Sequence, residues 1–315
     1  YFFMLSEIGN EDNARGFIND ITNVDNVALI SHIDLDGLAC AKIIDLLVDP
    51  DIILFLDYEN FKDEYFLQLK DKNINKIIFT DLNFKDSDLI KKLESFAQIL
   101  IIDHHVFDED LNSKKTVFIN KQDYCAAFIC YDLFKDYSTV KKFDWLIALA
   151  CTAEWTYFKN KMWMIKTYKK YGDNFDISNP RKGKLWDYIE ILNFSAIYFK
   201  DDLKKVDDSI KGSLDSLDSL RKYHEKIKRE IDFQKKVFLK EKIPIKEGEF
   251  FEVKSDYDII SRFSSELSLR DFNKIFIFAR LNNGRYKISA RRQDRAINLV
   301  KYLKKAVSGF SDSSV

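Results

Sequence analysis

The 315-residue sequence is short of several things, and each shortage excludes something. Glycine and proline are scarce, at nine and three residues, and no internal repeat or low-complexity tract occurs. No run of about 18 apolar residues occurs, so neither a transmembrane helix nor a membrane partner is expected. The opening "YFFMLSEIGNEDNARGF" lacks a basic start and a long apolar segment, so a signal peptide is not expected. The four cysteines, Cys40, Cys125, Cys130 and Cys151, form no CxxC pair and sit among apolar or small residues. That argues against structural zinc and for buried, reduced thiols in a cytoplasmic protein. Neither charge sign dominates: the formal net charge is -1, which leaves room for a local basic groove. What is abundant is apolar side chain, at 46%, which rules out a disordered chain. The length suits about two domains.

Three short apolar runs end in Asp-rich sequence: "NVALIS" (26–31), "KIIFTD" (76–81) and "QILIID" (98–103). A fourth, "DIILFLD" (51–57), lies between the first two, and helix-like stretches at 38–48, 61–72 and 86–96 separate them. Strands alternating with helices predict a mainly parallel α/β sheet covered on both faces. Ligands of such sheets bind beyond the carboxyl ends of the strands, so the Asp-rich ends should converge on one crevice. Residues 123–135 and 143–157 read as buried helices, and 184–240 as helical and increasingly charged. From about 248 short strands return, "EFFEVKS", "KIFIFARL" and "RYKISARR", with "NNG" (282–284) as a hairpin turn and a final helix at 295–307. The expected domains are 1–185, a helical connector at 186–240, and a smaller α/β domain at 241–315.

Three of only four histidines, His32, His104 and His105, lie at predicted strand ends within three residues of an aspartate. Grouped imidazoles and carboxylates favour a metal site, and the candidate ligands are His32, Asp34, Asp36, Asp81, Asp103 and His104. Such a donor set suits Mn²⁺, with Mg²⁺ as the alternative. Six ligands exceed the need of one ion and match two, with Asp81 as a natural bridge. Two ions suit in-line displacement at phosphorus. Asp103 either ligates directly or orients His104 through its second ring nitrogen.

"SHIDLDGLACA" (31–41), "FTDLN" (79–83) and "IIDHHVFD" (101–108), in that order at predicted strand ends, resemble the first three motifs of the DHH phosphoesterase superfamily. This superfamily includes RecJ-type nucleases, nanoRNases, cyclic-dinucleotide phosphodiesterases and exopolyphosphatases. The "SHxDxDG" form is most similar to archaeal RecJ-like proteins. The resemblance implies a DHH domain followed by a DHHA1-like substrate domain. It implies that His32, Asp34 and Asp81 hold one ion, that Asp36, Asp81 and His104 hold a second, and that His105 contacts the scissile phosphate or helps protonate the leaving group. Gly37 matches the motif's glycine, expected for a tight turn into the following helix. In "ALACTAEWT" (148–156), Glu154 stands where the family's fourth motif has Asp. "YKISARRQD" (286–294) is similar to the family's phosphate-contacting strand, with Ser289, Arg291 and Arg292 as candidates. A glycine-rich "GGGH" turn normally follows that strand and is not matched up to the last residue, Val315.

These readings point to a metal-dependent exonuclease acting on single-stranded DNA, RNA or short oligonucleotides. Tyr58, Phe107, Tyr124 and Trp155 lie near the motifs as candidate stacking residues. Two alternatives stay open at this level. One is a small-molecule phosphoesterase for a cyclic dinucleotide, a nucleotide bisphosphate or polyphosphate. The other is a scaffold for replication or repair proteins with a weakened site.

Overall fold

The computed structural model describes residues 7–57, 63–83, 87–107, 109–282, 284–294 and 296–307. They fall into two compact units, Tyr1–Arg221 and Lys222–Val315. Each is described by itself.

The first unit is α/β. Its sheet has six strands: β1 (Glu7–Ile8), β2 (Val27–His32), β3 (Ile52–Leu56), β4 (Lys76–Thr80), β5 (Gln98–Asp103) and β6 (Thr116–Lys121). Their order is β1-β6-β5-β4-β2-β3, parallel throughout except for β1. The strands that carry the sequence signal lie together in the middle. They read as continuous apolar runs because both faces are covered. Ala28, Ile30, Ile77, Phe79, Ile99 and Ile101 face one hydrophobic cluster, completed by Phe66 of α3 (Asp63–Asp71) and Leu89 of α4 (Ser87–Glu94). Opposite, α2 (Leu35–Val48) packs against the strand it follows, and against α5 (Ala126–Phe134), the short α6 (Ser138–Lys141) and α7 (Asp144–Ala153). Trp145 of α7 is wholly buried. Such a side chain contributes roughly 1.5–3 kcal/mol on burial.

Register, more than composition, positions the site. Ser31 pairs with Thr80, and Thr80 with Ile102. The next residues, His32, Asp81 and Asp103, therefore line up in one row at the carboxyl end of the sheet. A buried polar lock fixes that row: Thr80 Oγ1 donates to Ser31 Oγ (2.7 Å), which donates to the Gly37 carbonyl (2.7 Å).

Several elements depart from the sequence reading. Strand β6, helix α1 (Glu11–Asn19), helix α8 (Lys161–Lys170) and helix α12 (Ile260–Ser268) were not expected. Helix α7 stops at Ala153 rather than 157, because Trp155 adopts a left-handed backbone (φ 57°) that no helix continues. The stretch 184–240 is not one helix. It breaks into α9 (Lys184–Tyr198), α10 (Lys204–Asp207), a 3₁₀ segment (Leu214–Leu220) and α11 (Arg221–Glu241). The final helix, α13 (Leu299–Val307), starts four residues later than expected.

In the second unit, β7 (Ile243–Ile245), β8 (Gly248–Glu252), β9 (Ile275–Asn282) and β10 (Arg285–Arg291) form a sheet ordered β10-β9-β8-β7. Helix α12 provides the crossover between the parallel strands β8 and β9. Phe238 of α11 meets Phe251, Phe263 and Phe278 in an aromatic core. The β9–β10 hairpin closes through the predicted turn, with Asn282 pairing Arg285 and Gly284 at φ 77°. Asn283 lies outside the described residues. All four cysteines are buried and free, and no helix among the described residues is long and apolar enough to cross a membrane.

Candidate metal centre

The row of strand ends gathers the predicted side chains. Asp34 caps α2: one oxygen accepts from the Gly37 amide (3.0 Å), and the other lies 2.9 Å from His32 Nδ1. His32 Nδ1 is also 3.7 Å from Asp81 Oδ2. Asp81 Oδ1 is 3.4 Å from His104 Nε2, which is 3.7 Å from Asp36 Oδ2. Asp81 thus stands between His32 and His104, as a bridging ligand must. Two sets of donor atoms each lie within 4.8 Å of one another: His32 with Asp34 and Asp81, and Asp81 with His104 and His105.

Local structure explains why each side chain is held there. A Cβ on Gly37 would meet the His32 carbonyl oxygen at 2.2 Å, so glycine is needed for close approach of α2 to β2. Asp81 has a left-handed backbone (φ 57°), a conformation that Asp tolerates better than most residues and that turns its carboxylate into the row. Both Asp36 oxygens accept amide bonds at the start of α5, from Ala126 (2.8 Å) and Ala127 (2.9 Å). Each oxygen keeps further acceptor capacity, and Oδ2 is the one near His104. Asp103 Oδ1 takes the His104 amide (2.5 Å), the His105 amide (3.0 Å) and His105 Nδ1 (2.7 Å). Asp103 therefore orients both histidines from beneath. Buried Asn120, which pairs with Asp103 across the strands, donates to the His105 carbonyl (2.9 Å). Asn120 and the Ala126 and Ala127 amides went unread in the sequence. Asn120 had a faint signal, lying opposite Asp103, whereas the amides had none.

The electrostatics are unbalanced. Burial and the neighbouring charges of Asp34, Asp36 and Asp103 raise Asp81 well above the usual carboxylate range. Burial also raises Asp36, against the pull of His104 and with the push of Asp34. Burial, with Asp34 and Asp36 nearby, raises Glu154 to about 8. Burial works against a charged His32, yet Asp34 and Asp81 raise it to about 10. Burial works upward on Asp34 too, but its bonds to His32 and the Gly37 amide hold it well below its ordinary value. Among the described residues, no lysine or arginine pairs with any of these carboxylates. Asp81 Oδ2 and Asp103 Oδ2 are buried without a hydrogen-bond partner. Buried anions with oxygens left over need cations, and a set of carboxylates and imidazoles fits divalent ones.

The remaining candidates are placed as follows. Glu154 closes α7, half-buried and close enough to feel Asp34, Asp36 and His104. Phe107 is buried against Phe118, Tyr124 is half-buried and stacked on Phe128, and Trp155 is 46% exposed. Tyr58 lies outside the described residues. In the second unit, Ser289 shares a hydrogen bond with Ser264 (2.8 Å) and Arg291 is exposed. Arg292 is forked onto Asp294 (2.7 and 3.0 Å) and reaches Glu247 (3.1 Å), so its charge is already answered. The fourth histidine, His224, lies on α11.

No family model and no curated protein matches the sequence. Solved structures do match, over nearly the whole chain. One is the DHH domain of a protein described as a member of a family of ribosomal proteins, with a TM-score of 0.68 and 15% identity over 96% of this chain and 82% of that one. A second is the exonuclease RecJ bound to manganese, with a TM-score of 0.67 and 12% identity over 96% of this chain and 87% of that one. A third is CDC45 from Entamoeba histolytica, with a TM-score of 0.63 and 11% identity over 95% and 91%. The chain has the DHH, RecJ-like fold that its three motifs led one to expect.

Proposed function

We propose that this protein is a two-metal phosphodiester hydrolase, acting as a RecJ-like exonuclease on single-stranded nucleic acid or short oligonucleotides. The observation that carries this reading is the row of clustered carboxylates that no lysine or arginine among the described residues answers, with Asp81 between His32 and His104. His32, Asp34 and Asp81 would hold one cation, and Asp36, Asp81 and His104 the other, with Glu154 beside them. Mn²⁺ suits the donors best, with Mg²⁺ second. When bound, such cations supply Lewis acidity for displacement at phosphorus. The chain's own residues do the rest. Asp103 fixes His105 through Nδ1, which leaves Nε2 to contact the scissile phosphate or, when the ring is doubly protonated, to give its proton to the leaving oxygen and return to the neutral imidazole. Ser289 and Arg291 of the second unit are proposed phosphate contacts. Arg292 could join them only by leaving its two carboxylates. The division into a catalytic domain, a connector and a substrate-binding domain belongs to this proposal too.

A second reading, a scaffold for replication proteins with a weakened site, is favoured by one observation: Glu154 stands where the resembled motif has Asp, and its extra methylene shifts the carboxylate. Incubating 5′- and 3′-labelled single-stranded RNA and DNA with the protein and Mn²⁺ separates the two. Stepwise shortening that Asp34→Ala abolishes supports the nuclease and reveals its polarity. No shortening, with no bound metal, supports the scaffold. No shortening with metal bound turns attention to small phosphodiesters.

A further inference from the structure

Two cavities open side by side on the first unit, between α5 and α8, the first reaching Lys121 at the end of β6. One is about 550 Å³ and the other about 450 Å³, and they share Phe128, Asp132 and Trp163 as a common wall. They are therefore two stretches of one groove. Tyr124 and Phe128 stack nearly parallel in its floor (5.3 Å, 11°), and Trp163 meets Phe128 edge-on (5.1 Å). Phe158 and Met162 stand at the rim, 65% and 76% exposed. Seven lysines line the walls; Glu11 answers Lys121, Asp132 Lys135, Asp123 Lys159 and Asp144 Lys170, which leaves three without a carboxylate partner among the described residues. Two of them, Lys161 and Lys166 on α8, are exposed and have no carboxylate partner among the described residues. One end of the groove adjoins the metal centre: Tyr124 is two residues from Ala126, whose amide holds Asp36, and Phe158 is four residues past Glu154.

We infer that this groove binds a stretch of single-stranded nucleic acid, stacking bases on the Tyr124–Phe128–Phe158 surface while Lys161 and Lys166 meet phosphates. Flat aromatic faces set among free ammonium groups suit a splayed strand, whose bases are available for stacking. A duplex hides its bases and presents only phosphate. An acidic peptide would satisfy the lysines but leave the exposed aromatic rim without a partner. The inference deepens the hydrolytic reading by giving the strand a path beyond the metal centre. It needs no metal, so each can fail without the other.

The test uses the full chain in EDTA, where no hydrolysis can occur, and follows anisotropy of a labelled single strand of about 20 nucleotides, long enough to exceed one short footprint. Lys161→Glu with Lys166→Glu is expected to weaken binding at least tenfold. It should also make the log–log salt slope shallower by about 1.4, for two lost phosphate contacts. Phe158→Ala is expected to weaken binding about tenfold with the slope unchanged, the signature of lost stacking. All three side chains are exposed, and an unchanged melting temperature verifies that the variants fold. Unaltered affinity and slope in the lysine variant would overturn the inference. So would equal competition by polyglutamate and by the unlabelled strand, which would make the face a docking surface for acidic protein.

Discussion

The two units treat their charged groups in opposite ways. In the second, buried or half-buried charges are answered from within. Glu266 lies between Lys235 and Arg262, Lys287 pairs with Asp258, and Arg292 is shared by Asp294 and Glu247. In the first, Asp34, Asp36, Asp81, Asp103 and Glu154 crowd together with imidazoles and backbone amides but no lysine or arginine among the described residues. Satisfied charges hold a fold together. Unsatisfied ones lower its stability and persist where something outside the chain completes them. Elsewhere in the first unit, Lys42 pairs with buried Asp207 (3.2 Å), so the unit can neutralise a buried carboxylate. At the strand ends it does not.

The largest effect should come from removing the bridge. Asp81→Asn is expected to abolish Mn²⁺-dependent hydrolysis and the thermal stabilisation that Mn²⁺ confers, about 2.7 kcal/mol at a concentration one hundred times Kd. The same change should raise the melting temperature of the metal-free protein. Asp81's native pKa lies above its unfolded value, so the fold is penalised at every pH above that value, and Asn removes the penalty. A lower melting temperature would show that the cluster is balanced after all. Gly37→Ala comes next. Its Cβ has no room beside the His32 carbonyl, so it should cost roughly 1–3 kcal/mol and weaken metal binding, as chemical denaturation and calorimetry would report.

A subtler effect concerns protons. His32, raised to about 10 without metal, is charged at neutral pH and must lose its proton to ligate. Its contribution to metal-free stability is full below its unfolded pKa of about 6.5 and is lost as pH rises through about 10. Metal binding should therefore release protons and tighten between pH 6 and 8. Calorimetry in buffers of different ionisation enthalpy reads this directly, and buffer-independent heats would contradict it. The smallest effect is expected in the second unit. Burial works upward on Glu266, but Lys235 and Arg262 hold its carboxyl below its ordinary value. Its stabilisation is present above the unfolded pKa and is lost as pH falls through the native one. Glu266→Gln should cost about 1 kcal/mol at pH 7 and nothing in strong acid, by urea titration at the two pH values.

The central strands were legible because each is an apolar run buried on both faces and leading into Asp-containing sequence. Strand β6, "TVFINK", was not, because its apolar run is only three residues long, with Thr before it and Asn and Lys after. Helix α12, "ISRFSSELS", is hidden by serines that are poor helix formers away from caps. The end of α7 was overrun because "EWTYF" is as apolar as the helix before it, and composition does not reveal the backbone of Trp155. The metal-ligand candidates were legible because register follows from strand pattern. Their supports were not. Asp36 is held by amides about 90 residues away, and Arg292 by a glutamate 45 residues away, and neither separation leaves a local mark.

The most direct test of the account is Mn²⁺ stoichiometry, measured by calorimetry and electron paramagnetic resonance on the full chain. The account predicts two ions per chain, spin-coupled through their shared ligand, with Asp81→Asn losing the coupling and at least one ion. No bound Mn²⁺ or Mg²⁺ at millimolar concentration would contradict it, and would leave the buried carboxylates of the first unit without a reason.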